Sequence, residues 1–410
     1  MLFTPRISRS TIGPITACVV LCLTALAAQA QTFTVLHTFT GLNDGAVPEA
    51  GLITDRAGNL YGTASVGGVG CGTVFELKSS GPSWLFTPLY AFKGGSDGCK
   101  PQARMVIGPN GVLYGTTVSG GGNFCYYGTC GTAFQLGPSP TICKSVSCNL
   151  VETVIHRFAP TPAMGNPANG PMVFDQAGNL YGVSGGQGAY YFGGIYELSR
   201  GNDGWTLEAL YNFPNGGATS GLVADAAGNL YGSDEGAGYG GVFQFAHSGA
   251  GWRMNQLFSI VDILGDGYLT QAGVTLDNAG NVYATTLAYG PNGGGTVFEL
   301  SAGTWNFSLV YGLSGNFGGP QESLTMDAAG NLYGTTTGDG AYNQGNVFKL
   351  TPFGGGWLYT DLYDFTGESD GGAPVSNVVI DAQGNLYGTA SAGGAGGCNH
   401  GCGTVWMIKP

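Results

Sequence analysis

The octapeptide Asp-Ala-Ala-Gly-Asn-Leu-Tyr-Gly stands at Asp225–Gly232 and, letter for letter, at Asp327–Gly334. Read with tolerance, the same unit occurs seven times, beginning at Asp55, Gly108, Asp175, Asp225, Asp277, Asp327 and Asp381. Its tyrosines are Tyr61, Tyr114, Tyr181, Tyr231, Tyr283, Tyr333 and Tyr387, spaced by 50–54 residues apart from one interval of 67 that holds an insertion. A steady period of this length marks a chain built by copying one supersecondary unit, each copy burying the face of its neighbour.

Each copy sits in a pattern of four short β segments. An apolar strand such as Gly51–Asp55 enters the Asp-x-x-Gly-Asn turn. There the carboxylate can accept backbone N–H groups and glycine supplies the positive φ of a bulged hairpin. Leu-Tyr-Gly-Thr-Thr then forms a second strand and Gly-Thr-Val-Phe-Glu-Leu, as at Gly72–Leu77 and Gly295–Leu300, a third. The fourth carries a tryptophan ahead of Leu-Tyr-x-Phe, at Trp84, Trp205, Trp252, Trp305 and Trp357. Four antiparallel strands repeated seven times predict an all-β, seven-bladed β-propeller over residues 31–410. The last copy stops after its third strand, Gly403–Ile408, and the missing fourth strand stands at Phe33–Phe39, with His37 in the tyrosine place. An N-terminal strand completing the last blade closes the ring and hides the sheet edge that an open array exposes.

The Asp-x-x-Gly-Asn-Leu-Tyr-Gly-Thr-Thr and Gly-Thr-Val-Phe-Glu-Leu segments resemble the GloVer tandem repeat, found in secreted bacterial proteins described as having a choice of C-terminal anchors. The resemblance spans residues 31–410 and implies export and repetition, with no activity to carry over. The chain ends at Lys409-Pro410 without a sorting tail, which favours free secretion. The other end agrees. Arg6 and Arg9 precede an apolar run, Ile15–Ala27, and an Ala28-Gln29-Ala30 site, so residues 1–30 read as a signal peptide cleaved near Ala30. The expected location is extracellular or periplasmic, with no membrane span in the mature chain.

Composition excludes further classes. Seventy-seven glycines suggest disorder, but 43% apolar residues with 21 Tyr and 21 Phe contradict it. Removing Arg6 and Arg9 from 13 basic against 25 acidic side chains leaves a net charge near −14, which argues against a nucleic-acid partner. No cofactor is implied, and a monomer is expected.

Eight cysteines remain after cleavage, suited to disulfides in an oxidising exterior. Cys125/Cys130, Cys143/Cys148 and Cys398/Cys402 are close pairs, leaving Cys71 for Cys99. In a propeller the loop between strands two and three shares a face with the loop between blades, so Cys71–Cys99 is geometrically reasonable. Each clip is worth ~1–3 kcal/mol. Clustering of six cysteines on three adjoining blades leaves a metal site as the rival reading, with disulfides preferred. The four histidines are dispersed: His37 and His156 replace fourth-strand tyrosines, His247 falls in a turn, and His400 lies between two cysteines. A histidine-based zinc site or catalytic triad is not expected. The aspartates at Asp55, Asp175, Asp225, Asp277, Asp327 and Asp381 stand singly and read as turn residues, as do Asp44, Asp97, Asp266 and Asp370 in Asp-Gly loops. No metal site is assigned.

Ligands of propellers are expected at the mouth of the channel, which the first strands line. Six residues before each turn stand Glu49, Gln102, Asn169, Thr219, Gln271, Gln321 and Val375, a polar ring joined by the charges of Arg104 and Glu322. Glycine-rich loops on the same face carry Phe124, Tyr126, Tyr127, Tyr190, Tyr191, Phe192, Tyr239, Tyr289 and Tyr342, flat amphipathic groups suited to sugar rings or a protein surface. The leading expectation is a non-enzymatic propeller binding a glycan, envelope component or protein through this face. The alternatives are a polysaccharide-active hydrolase or lyase using Glu49, Glu322 and Arg104, and a purely structural envelope protein.

Overall fold

The repeated turn shows why this sequence makes hairpins. In the computed structural model, Asp327 Oδ1 accepts the N–H groups of Ala329 and Asn331, both at 2.9 Å. Its Oδ2 accepts Asn331 Nδ2 at 2.7 Å and the Tyr333 hydroxyl at 3.1 Å. One carboxylate thus ties the turn to the strand that follows. Asp55, Asp225 and Asp381 repeat all four bonds. Gly330 holds φ +82° there, a conformation favouring glycine. Blade 2, with Gly108 in the aspartate place, turns instead through a 3-10 segment, Pro109–Gly111.

The structure describes residues 31–410 except 82, 126–127, 139–149, 161–164, 166, 168–169, 186–192, 215, 219, 236–238, 250, 262–264 and 316–317. The expected signal peptide, Cys143, Cys148, Tyr126, Tyr127, Asn169, Thr219, Tyr190, Tyr191 and Phe192 lie outside the described residues. Seven four-stranded antiparallel sheets form the blades. Blade 1 runs Leu52–Thr54, Leu60–Ala64, Thr73–Ser80 and Ser83–Ala91 from first strand to fourth. Blade 7 is Val379–Ile380, Leu386–Ala390, Thr404–Lys409 and, from the other end of the chain, Thr32–Thr38. Phe33 pairs with Ile408 and Val35 with Trp406, and a bulge falls between Val35 and His37. Pairings of third and fourth strands elsewhere carry the same irregularity, at Val74/Phe75 and Val347/Phe348 for example. The borrowed strand therefore reproduces the register of a native one.

The core lies between sheets. Seven clusters of buried apolar side chains fill the seven blade junctions, from Leu52, Phe75 and Tyr387 between blades 1 and 7 to Tyr333, Val378 and Trp406 between blades 6 and 7. Inside six of the sheets the glycine of Leu-Tyr-Gly faces the aromatic residue of the third strand, and blade 5 has Ala284 there, opposite Phe298. A Cβ at Gly334 would meet Phe348 at 2.6 Å, and one at Gly388 would meet Trp406 at 2.3 Å. Between sheets the repeat tyrosine meets the tryptophan of the next blade: Tyr387 with Trp84, Tyr114 with Trp205, Tyr181 with Trp252, Tyr231 with Trp305 and Tyr283 with Trp357. Two sequence features a blade apart are thus one contact. Edge-on aromatic pairs contribute about 0.5–1.5 kcal/mol each beyond their buried area.

Among the described residues three disulfides are formed, Cys71–Cys99, Cys125–Cys130 and Cys398–Cys402, a mark of an oxidising extracellular or periplasmic setting. No helix among the described residues is long and apolar enough to cross a membrane. Two local expectations are corrected. His247 lies in the strand Gly241–Ser248 rather than a turn, because the third strand extends past its motif to pair with Trp252. Trp305 sits just before its strand, Phe307–Gly312, at φ +55°.

Candidate functional site

Two kinds of loop meet on one face of the ring, called here the loop face. The segment before each first strand bridges the segment after the second strand of the same blade, as in Ala46 with Val66, Cys99 with Ser119 and Tyr268 with Ala288. Asp-Gly aspartates brace the inter-blade loops. Asp97 accepts the Tyr90 hydroxyl and the Lys93 N–H, and Asp370 accepts the Tyr363 hydroxyl and the Thr366 N–H. Asp44 does the same work for His37 and Thr40, so each of these carboxylates braces its loop through at least one oxygen.

Blades 4 and 5 carry an aromatic run on this face. Tyr239 meets Tyr268 edge to face at 6.2 Å, and Tyr268 meets Tyr289 likewise at 5.6 Å. Tyr239 and Tyr289 keep 49% and 41% of their surface exposed, so part of each ring faces solvent. Backbone bonds hold it: Leu269 N–H donates to Tyr239 O at 2.8 Å and Tyr268 N–H to Ala288 O at 2.7 Å. Leu269 and Tyr289 both take positive φ, at 58° and 59°, which fixes the two loops in unusual backbone positions. Tyr342 and Phe124 are also exposed, Phe124 on a small hairpin closed by Cys125–Cys130. Tyr268 was not anticipated from sequence. Its only signal is Gly-Asp-Gly-Tyr at Gly265–Tyr268, an aromatic directly after an inter-blade Asp-Gly.

The anticipated polar ring divides. Glu49 accepts the Gln102 side-chain amide at 2.8 Å, linking blades 1 and 2. Gln321 reaches Thr337 of its own blade at 3.5 Å, and Gln271 is half-buried. A cavity of about 660 Å³ occupies the channel, and Arg104 lines it together with Ile53, Ile107, Phe174, Val379 and Ile380. Those residues lie between the loop face and the Asp turns, so the cavity runs toward the turn face. Glu49, Gln102, Gln271, Gln321 and Glu322 do not line it. Burial pushes the Glu322 carboxyl up to about 7, against the favourable field of Arg104 and the Ser323 N–H. Burial likewise lowers the affinity of Arg104 for its proton, with Glu322 opposing. Both residues are half-buried.

A second cleft, about 720 Å³, opens on the turn face between blades 3 and 4 and is lined by Asp175, Tyr181, Glu197, Asp225, His247 and Trp252. Its side chains are largely engaged, Asp175 and Asp225 by their own turns and Trp252 by stacking on Phe245 at 4.8 Å. Among the described residues no group of three or more His, Cys, Asp or Glu side chains is placed to hold a metal ion.

A family model described as the Gloeobacter/Verrucomicrobia repeat matches residues 22–147 and 234–410, and the chain belongs to that family. No curated protein matches the chain. Solved structures similar to it include a protein provisionally named an oxidoreductase (glucose dehydrogenase) from Thermus thermophilus, at 15% identity over 91% of this chain and 100% of that one, with a TM-score of 0.45. A protein provisionally named a 6-phosphogluconolactonase from Bacteroides uniformis is 14% identical over 76% and 82%, with a TM-score of 0.48. A triple arginine-to-alanine variant of AofleA from Arthrobotrys oligospora is 13% identical over 81% and 90%, with a TM-score of 0.46. Likenesses at this level concern chain shape alone.

Proposed function

We propose that this member of the Gloeobacter/Verrucomicrobia repeat family is an exported, non-enzymatic propeller that binds a neutral glycan through its loop face. The observation that carries the reading is the run Tyr239–Tyr268–Tyr289, three rings in edge-to-face contact with the outer two open to solvent. Tyrosine rings offer flat apolar area to the C–H faces of a sugar and a hydroxyl to its O–H groups, at low cost in side-chain entropy. The backbone bonds that hold Leu269 to Tyr239 and Tyr268 to Ala288 reduce the ordering needed on binding. Neutrality follows from charge: 25 acidic against 13 basic side chains disfavour a polyanion.

Affinity electrophoresis of residues 31–410 through gels containing neutral polysaccharides tests the reading, with alginate and pectate as acidic controls. Retardation by at least one neutral polymer is expected, with binding at least tenfold weaker in Tyr268→Ala and in the double variant Tyr239→Ala/Tyr289→Ala. Absence of retardation in every gel, or equal retardation of the folded variants, contradicts it.

A further inference from the structure

The waist of the channel holds a second feature, independent of the loop face. Four residues before the turn, six blades place Gly51, Pro171, Gly221, Gly273, Ser323 and Asn377, and blade 2 places Arg104. The small residues crowd together at this level. A Cβ on Gly221 would meet Pro171 Cδ at 2.3 Å, and one on Gly51 would meet Asn377 Oδ1 at 2.2 Å. Arg104 is therefore the one long side chain at this level of the ring. Its Nε is buried with no hydrogen-bond partner among the described residues. An unmet buried donor on a cation is costly, and a guanidinium is built to take a carboxylate in a two-pronged grip. The walls leading from Arg104 toward the turn face are mostly apolar, with Ile53, Ile107, Phe174, Val379 and Ile380 beside Thr54 and Thr325.

We propose that this cavity of about 660 Å³ binds a small monocarboxylate with an apolar body, its carboxylate on Arg104 and its hydrocarbon part against the walls toward the turn face. Glu322 sets the charge the ligand can carry. Its carboxyl is the other charge acting on Arg104, so an ionised Glu322 repels a dianion more strongly than a monoanion. Glu49, the third charged side chain of the inner segments, is engaged by Gln102 and does not line the cavity. When Glu322 is protonated the Arg104 charge is open to the ligand; when it ionises, the two charges offset each other. Burial places that change near pH 7, so affinity rises as pH falls from 8 to 6.

Isothermal titration of residues 31–410 with sodium benzoate and sodium butyrate tests this, with benzamide as the uncharged isostere and inorganic phosphate as the apolar-free anion. The expected result is saturable binding of the carboxylates, about tenfold tighter at pH 6 than at pH 8, and no binding of benzamide. Arg104→Gln abolishes it, Arg104→Lys weakens it at least fivefold, and Glu322→Gln removes the pH dependence. No carboxylate heat at 10 mM overturns the proposal, as does unchanged binding in folded Arg104→Gln or phosphate binding as tight as benzoate. If Arg104→Gln does not fold, Glu322→Gln decides: a pH dependence equal to the wild type's overturns the assignment.

Discussion

The turn face and the loop face grow from the same seven repeats, yet the first is nearly uniform and the second differs from blade to blade. On the turn face the Asp-x-x-Gly-Asn-x-Tyr network recurs with the same partners at Asp55, Asp225, Asp327 and Asp381. On the loop face blades 7, 1 and 2 are closed by disulfides, whereas blades 4 and 5 present tyrosines. Uniformity within one chain shows what every blade needs in order to fold. Departure from it shows where the chain can spend side chains on something else. Arg104 makes the same point inside the channel, where six blades hold small or short residues and one holds a cation.

The contrast can be broken from either side. The largest effect is expected from removing residues 31–38. That deletion strips the partner of Thr404–Lys409 and exposes an edge, so the protein should lose its cooperative melt and aggregate in size-exclusion chromatography. Replacing Cys71 and Cys99 by serine opens a 28-residue loop and should cost about 3 kcal/mol, the top of the expected range, against about 2 kcal/mol for Cys398 and Cys402, whose separation is 4. Denaturant unfolding of the two double variants ranks them. Asp327→Ala removes an acceptor of four hydrogen bonds and should cost about 2–3 kcal/mol while leaving the loop face intact.

Titration sharpens the comparison further, because the two regions respond to pH with opposite sign. Burial pushes the Asp55, Asp327 and Asp381 carboxyls up, but the hydrogen bonds from their asparagines, turn N–H groups and tyrosines outweigh it and leave them below the usual range. Their contribution is present above the unfolded value near 3.8 and is lost as pH falls through the folded value. Glu322 is raised to about 7 instead. Its protonated form is favoured by the fold, so stability falls as pH climbs from about 4.5 through 7. Glu322→Gln should therefore raise the melting temperature at pH 8 relative to wild type, by roughly 1–2 kcal/mol of stability, and change it little at pH 4. The smallest effect on folding belongs to Tyr268→Ala, within about 0.5–1 kcal/mol for a partly exposed loop residue.

Much of this architecture was legible in the letters. The seven turns, the strand at Phe33–Phe39 that completes blade 7 and the three described disulfide pairs follow from period, offset and compartment. The Trp–Tyr contacts were half legible: both residues stood out, but the contact spans two blades and a one-blade repeat cannot show it. The polar ring was harder. A position six residues before a turn fixes height along the channel without fixing direction, so Gln321 turns to Thr337 while Arg104, two residues farther along its strand than Gln102, lines the cavity. Tyr268 escaped notice because the position after the inter-blade Asp-Gly holds Ala46, Cys99 and Gly372 in other blades, so the repeat marks no aromatic there. Its role depends on Tyr239 and Tyr289 arriving beside it from two other loops.

The most direct test pairs the two faces in one experiment, measuring polysaccharide affinity and melting temperature for Asp327→Ala and Tyr268→Ala side by side. The account predicts that Asp327→Ala melts several degrees early yet binds like wild type below its melt, while Tyr268→Ala melts normally and loses at least tenfold in affinity. Loss of binding in Asp327→Ala with retention in Tyr268→Ala would contradict it.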